Sequence, residues 1–349
     1  MTLRVGIVGC GRIAQVMHLP YLDELPQFEI AAISDLSRQT TDALAARYRV
    51  PVASQDFHDV IAADVDIVAV LSPNHREVAA DAIEAGRDVF VEKPLTFDSA
   101  EALELVESAK AAGVVLAVGY MKFHDRAYQE LRRRVASLEV RLARVRVMFG
   151  RAERPTRFYS LVQADDVPAF ASTQSSFVTE TQRIGERLGL DERRARMFVH
   201  MLNLGCHDLA VLRGVMGEPN EVLTATAPTD ESVVAVLSYA SGARAIVEIG
   251  EWPRQAFWDE RLEVVADEEV LTLDFGNPWV RYSASRLRHA RTTPGGAELE
   301  ELAPAHYDAF REQWLHLYDV FANGAAPRAT GRDAVSDIAL AEAIVRRLP

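Results

Sequence analysis

The chain has 349 residues, 49% hydrophobic and 26% charged, with 38 basic and 51 acidic side chains and a formal net charge of −13. At roughly 150 residues per domain this length implies about two domains, and the composition excludes disordered, collagenous and coiled-coil chains. The acidic balance argues against nucleic acid or an anionic membrane surface as a partner, and no apolar run reaches the roughly 18 residues of a membrane span.

The N-terminus shows no secretory pattern, and two cysteines, Cys10 and Cys206, make no disulfide framework, so the expected location is the reduced cytoplasm. Residues 3–8 are an apolar run ending in glycines and read as a buried strand, with a helix over 13–22. Residues 28–33 give a second strand, ending at Ser34-Asp35, and 40–48 suit a helix. Residues 65–71 are a third strand, stopped by Ser72-Pro73-Asn74, and 76–85 a helix closed by Gly86. A fourth strand at 88–91, a helix at 99–112 closed by Gly113 and a fifth strand at 114–118 follow. Strands alternating with helices imply βαβ units and a doubly wound parallel sheet, placing an α/β Rossmann domain at residues 1–122.

Beyond a helix over 125–137 the pattern changes. Strand-like runs at 140–149, 221–227, 232–239, 243–249, 261–266, 270–274 and 279–283, several joined by short turns, predict an antiparallel meander. Helices at 307–322 and 332–347 close the chain and are free to pack back on the first domain. The second domain, 123–349, is therefore α+β. Residues 151–200 have little period of their own and hold Arg154, Arg157, Arg183, Arg187, Arg193, Arg194 and Arg196. Such long segments are usually functional or disordered.

The strongest local signal is Gly9-Cys10-Gly11-Arg12-Ile13-Ala14, between a strand and a helix. Gly9 allows the tight turn, Gly11 lets the backbone approach a pyrophosphate, and Ala14 permits close helix–strand packing. Asp35 lies 21 residues after Ala14, where a carboxylate accepts hydrogen bonds from an adenosine ribose. That carboxylate repels a 2′-phosphate, which favours NAD. Arg38 can stack on adenine or pair with a phosphate, which keeps NADP as the alternative.

Only three residues are lysines, and one falls in Glu92-Lys93-Pro94-Leu95, directly after the fourth strand. Strand C-termini face the ligand crevice of an open α/β sheet. A lysine held there can exchange a proton with a substrate oxygen. Taken alone it reads as a solvated strand-end residue. In Asn203-Leu204-Gly205-Cys206-His207-Asp208, Asn203 and His207 share a face if the segment is helical. An imidazole can give or take a proton near neutral pH, although spacing alone equally describes a buried, hydrogen-bonded histidine. His18 could approach a nicotinamide, but reads better as a helix-packing residue. Cys206, His207 and His200 match no standard zinc spacing, so no metal is expected.

In order along the chain, these motifs with Gly119-Tyr120-Met121-Lys122-Phe123, Leu212-Arg213-Gly214 and Gly217-Glu218-Pro219 resemble the Gfo/Idh/MocA oxidoreductase family over nearly the whole sequence. The resemblance implies a second domain with a large, mostly antiparallel open sheet that forms homodimer or homotetramer interfaces. It also implies hydride transfer between a nicotinamide cofactor and a hydroxyl-bearing carbon of a sugar- or cyclitol-like small molecule. Lys93 and His207 match the catalytic positions. Ser72, Pro73, Asn74 and Glu92 join Gly9, Gly11, Arg12, Ile13, Asp35, Arg38 and Lys93 as cofactor-binding residues. Asn203, Tyr120, Lys122 and Asp208 fall to the substrate. Asn203 stands where many members carry aspartate, and Glu77 where many carry histidine, with His75 nearby.

The arginines of 151–200 are candidates for an acidic substituent. Two other readings stay open: an NAD redox-cycle glycosidase or imine reductase on the same fold, and a non-catalytic NAD-binding sensor. Lys93 and His207 speak against the sensor, and Asn203 for it.

Overall fold

The computed structural model describes residues 1–150, 156–168, 173–252, 257–304 and 307–349. The chain divides into two compact units, each assembled from three stretches. The first comprises Met1–Tyr120, Thr156–Glu180 and Phe310–Ser336; the second Met121–Pro155, Thr181–Ala309 and Asp337–Pro349.

The first unit is built on six parallel strands: β1 (Leu3–Val8), β2 (Phe28–Ser34), β3 (Val52–Ser54), β4 (Ile67–Val70), β5 (Asp88–Val91) and β6 (Leu116–Val118). Their order is β3-β2-β1-β4-β5-β6. β1 and β4 are apolar and buried along nearly their whole length, as strands covered on both faces must be. The order reverses between β1 and β4, which opens a crevice at their C-terminal ends.

The helix expected over 13–22 is a π-turn at Ala14–His18 followed by α1 (Leu19–Glu24). Pro20 has no N–H to give to an α-helical ladder, and the turn widens where that donor is missing. α2 (Arg38–Tyr48) is capped by the Ser37 hydroxyl, which accepts from Thr40 N at 2.9 Å. α3 (Phe57–Ala62), α4 (His75–Glu84) and α5 (Ser99–Ala112) complete this part, α5 capped by Asp98. From the C-terminal region, α9 (Ala309–Asn323) sends Trp314 into this unit's core, fully buried against Phe90 at 5.1 Å and Phe28 at 5.4 Å between ring centroids.

The second unit opens with a 3₁₀ turn at Met121–His124 and α6 (Arg126–Val135), then β7 (Val140–Phe149). α7 (Thr173–Leu188) crosses from the first unit into the second and is followed by α8 (Glu192–Met216). The remaining strands are β8 (Glu221–Thr229), β9 (Ser232–Ser238), β10 (Arg244–Glu251), β11 (Asp259–Ala266), β12 (Glu269–Asp274), β13 (Arg286–Thr293) and β14 (Gly296–Leu302). The eight strands run β14-β13-β12-β11-β7-β10-β9-β8.

All neighbours are antiparallel except β7 and β10, whose parallel pairing departs from the expected meander. α8 lies across this sheet. The run expected as a strand at 279–283 is a turn, with Tyr282 at φ 63°. α10 (Gly331–Arg346) spans the two units' C-terminal stretches.

Candidate active site

In the first unit the glycine loop leaves β1 and turns at Gly9, φ +94°. A Cβ there would stand 2.4 Å from Ser72 N, so only glycine lets this loop lie against the segment leaving β4. Ser72, half-buried, with Pro73 and Asn74, exposed, therefore forms the facing wall of the crevice. Gly11 is the opposite case. Nothing lies within 4 Å of where its Cβ would be, so the missing side chain leaves an open, exposed cradle.

Arg12 and Ile13 follow in the first helical turn, where N–H groups have no acceptor within the helix. Asp35 accepts from Cys10 N at 2.8 Å and Ser37 N at 2.9 Å, tying the end of β2 to the glycine loop. Arg38 is exposed, 3.6 Å from Asp42. The Cys10 thiol is buried, which pushes its pKa far up and leaves it inert. An open cradle at a helix N-terminus with a carboxylate at the next strand end fits a nicotinamide dinucleotide.

Lys93 follows β5, half-buried, with a cis bond to Pro94. Its backbone N–H donates to Glu92 Oε2 at 3.1 Å. Glu92 is 6% exposed, and its Oε1 accepts from His18 Nε2 at 3.0 Å. His18 Nδ1 accepts from Trp314 Nε1 at 3.2 Å, so the ring proton sits on Nε2 and points at Glu92. A Cβ at Gly119 would stand 2.8 Å from Glu92 Oε1, so that glycine makes room for the carboxylate. His18 is thus a fully buried member of a Trp314–His18–Glu92 chain behind Lys93. On the other side of the turn, His75 Nδ1 donates to the Pro94 carbonyl at 2.6 Å. Burial holds the His75 pKa below its ordinary 6.5 in spite of that bond, so this ring is neutral. Glu77 accepts from Asn74 Nδ2 at 3.1 Å.

In the second unit Asn203 and His207 lie four residues apart on α8, Asn203 exposed and His207 half-buried. The helix presses Gly205 on Ile249 of β10, where a Cβ would come within 2.4 Å of Ile249 Cδ1. Asp208 is fully buried and pairs with Lys122 Nζ at 3.4 Å. Lys122, 2% exposed, also pairs with Glu260, whose second oxygen accepts from Trp258 Nε1 at 2.9 Å. Burial lowers the Lys122 pKa, but its two carboxylates outweigh that and raise it. Burial pushes the Asp208 carboxyl well above the usual range, against the pull of Lys122.

Tyr120 is buried in the first unit. Arg193 and Arg196 approach Asp230 and Glu231 at 3.9 and 3.8 Å, Arg157 stacks on Phe158, and Arg154 lies outside the described residues. Among the described residues no cluster of three His, Cys, Asp or Glu is placed to hold a metal.

The structure thus gathers the glycine loop, Asp35, Ser72-Pro73-Asn74, Glu92 and Lys93 in the first unit, and Lys122, Asn203, His207 and Asp208 in the second. Sequence reasoning missed Glu260 and Trp314. Glu260 is in phase with Leu262 and Val264 along β11, all buried, and a carboxylate in register with apolar residues is the signal for it. Trp314 has no local signal, because its hydrogen-bond partner His18 lies 296 residues away along the chain.

Residues 3–120 match an oxidoreductase family with an NAD-binding Rossmann fold. An inositol 2-dehydrogenase of Burkholderia cenocepacia is 28% identical over 287 residues, covering 78% of this chain and 74% of its own. Inositol 2-dehydrogenase 3 of Saccharopolyspora erythraea is 26% identical over 353 residues, covering 100% and 94%. Two solved structures share the fold. A 3-ketoreductase from Actinomadura kijaniata in complex with NADP has a TM-score of 0.75 at 19% identity, over 100% of this chain and 98% of that one. An aldose-aldose oxidoreductase from Caulobacter crescentus complexed with glycerol has 0.74 at 22%, over 99% and 97%.

Fold and glycine-loop crevice together define an NAD(P)-dependent dehydrogenase or reductase. Over residues 3–120 the chain is similar to the Gfo/Idh/MocA oxidoreductases. Among the described residues no helix is long and apolar enough to cross a membrane.

Proposed function

We propose that the protein moves hydride between NAD and a secondary alcohol, or the matching ketone, of a sugar- or cyclitol-like molecule. The observation that carries this reading is Lys93: its backbone is fixed by buried Glu92 at the C-terminal end of β5, on the crevice side of the sheet. When bound, the nicotinamide supplies or accepts the hydride.

Gly9, Gly11, Arg12 and Ile13 hold the pyrophosphate. Asp35 and Arg38 take the adenosine end, and Ser72, Pro73 and Asn74 close the opposite wall. Lys93 and His207 carry the hydroxyl proton. Asn203 orients a substrate hydroxyl without acting as a base. Tyr120, Lys122 and Asp208 back the substrate side. In this reading residues 1–122 bind the dinucleotide, and 123–349 bind substrate and pair copies of the chain through the open sheet, in the cytoplasm. The names of the inositol dehydrogenase relatives support a cyclitol over other alcohols.

The test is NADH formation from NAD across a panel of cyclitols and hexoses. Turnover with at least one member is expected. Tightly retained NAD with glycoside cleavage and no net NADH would replace this reading with the redox-cycle hydrolase.

A further inference from the structure

We propose that Asp166 fixes the choice of cofactor: its carboxylate takes the donors at the start of α2 that a 2′-phosphate needs, and so excludes NADP. This rests on the reading of the Gly9–Asp35 crevice as the dinucleotide site.

In that crevice an adenosine ribose would lie at the end of β2, beside Asp35, with the residues just beyond it lining the 2′ position. Those residues are already engaged. The Ser37 hydroxyl donates to Asp166 Oδ1 at 2.5 Å, and Gln39 N donates to Asp166 Oδ2 at 3.1 Å. Asp35 accepts from the Ser37 backbone N–H at 2.9 Å, so two carboxylates bracket one serine. Asp166 is 129 residues away in sequence, and its segment is held in place independently. Gln15 accepts from Val162 N at 2.8 Å and donates to the Cys10 carbonyl at 2.9 Å, which ties the segment to the glycine loop. Arg47 donates to the Ser160 carbonyl at 3.0 Å, and Gln39 Nε2 to Asp165 Oδ1 at 2.6 Å.

An anion set against the free N–H groups of a helix start is the arrangement that receives phosphate. Here the protein supplies the anion itself. The hydrogen bonds from Ser37 and Gln39 hold the Asp166 pKa below its ordinary 3.8, so it is charged at any pH where the protein works. A 2′-phosphate would have to displace one carboxylate and approach a second. A 2′-hydroxyl needs neither.

The experiment is fluorescence titration of the full chain with NADH and with NADPH, for wild type, Asp166→Asn and Asp166→Ala. Asp166 is exposed, so neither change disturbs the core. Wild type is expected to prefer NADH. Both variants are expected to shift the affinity ratio toward NADPH by about tenfold, chiefly through tighter NADPH, because a like-charge contact has been removed. The shift is expected to shrink at high salt. A wild type that prefers NADPH, or variants that bind both nucleotides with an unchanged ratio, would overturn the role of Asp166 alone. Failure of every form to bind either nucleotide would overturn the crevice reading together with it.

Discussion

Taking a lysine out of water costs several kcal/mol, and Lys122 is 2% exposed. It is kept charged by Asp208 and Glu260, and its ammonium also sits 4.5 Å from the Phe275 ring centroid. One cation faces two dry carboxylates, and burial raises the Asp208 pKa against the pull of Lys122. Lys122→Met strips the partner from Glu260 and is expected to cost about 3–5 kcal/mol in denaturant unfolding. Asp208→Asn is expected to cost less, because Lys122 keeps Glu260 as its partner.

The pH dependence follows. The unfolded chain releases the Asp208 proton around its ordinary 3.8, while the folded chain holds it to higher pH. The folded state then binds more protons, so this group's contribution falls as pH rises from 3.8 toward the folded value. Over the range above pH 3.8 in which the folded carboxyl titrates, Asp208→Asn should therefore lack this fall in stability. An identical slope would mean that Asp208 is ionised in the fold. The pairing was not legible as a local motif, although the phase of Glu260 with Leu262 and Val264 marks a buried carboxylate. The buried cation is visible only once two segments, 86 and 138 residues distant from Lys122, are brought to it.

α8 carries the second unit's half of the proposed chemistry, and its seating depends on a missing side chain. Gly205→Ala drives a methyl into Ile249 and is expected to cost about 1–3 kcal/mol. Adding Ile249→Val should recover part of that loss. If the single change is neutral in unfolding midpoint, the close packing of α8 on β10 is not what holds Asn203 and His207 outward.

Elements of this kind mark the limit of what sequence patterns carry. The Rossmann strands are continuous apolar runs broken by glycine, so five of the six were readable. The short β3, with α3 after it, was not. α8 is buried over much of its circumference, which blurs the 3.6-residue period. β13 and β14 are rich in charge because much of their surface faces solvent, so they lack the apolar alternation of the inner strands.

At the scale of the molecule, the first unit draws on three separate stretches of chain, and two of them lie outside its Rossmann sequence. The glycine motif, Asp35 and Lys93 were legible because each is a local rule of the βαβ unit. Asp166 and Trp314 were not, because they act through partners distant in sequence, and for His18 the packing was legible but its bond to Glu92 was not. The assembly of that unit makes a thermodynamic prediction. Dinucleotide binds only the folded crevice, so NADH at a hundred times its Kd should stabilise the protein by about 2.7 kcal/mol, read as a higher Tm. Gly11→Val should abolish most of that gain by filling the open cradle, and a Tm shift equal to wild type would place the nucleotide elsewhere.

Comparison of kcat and NADH affinity between Lys93→Met and wild type shows whether Lys93 carries the substrate proton beside the dinucleotide crevice. A fall in kcat of about 10²-fold or more with NADH affinity unchanged is the predicted result, since general acid–base groups supply about 10²–10⁴. Near-normal turnover in Lys93→Met would contradict it.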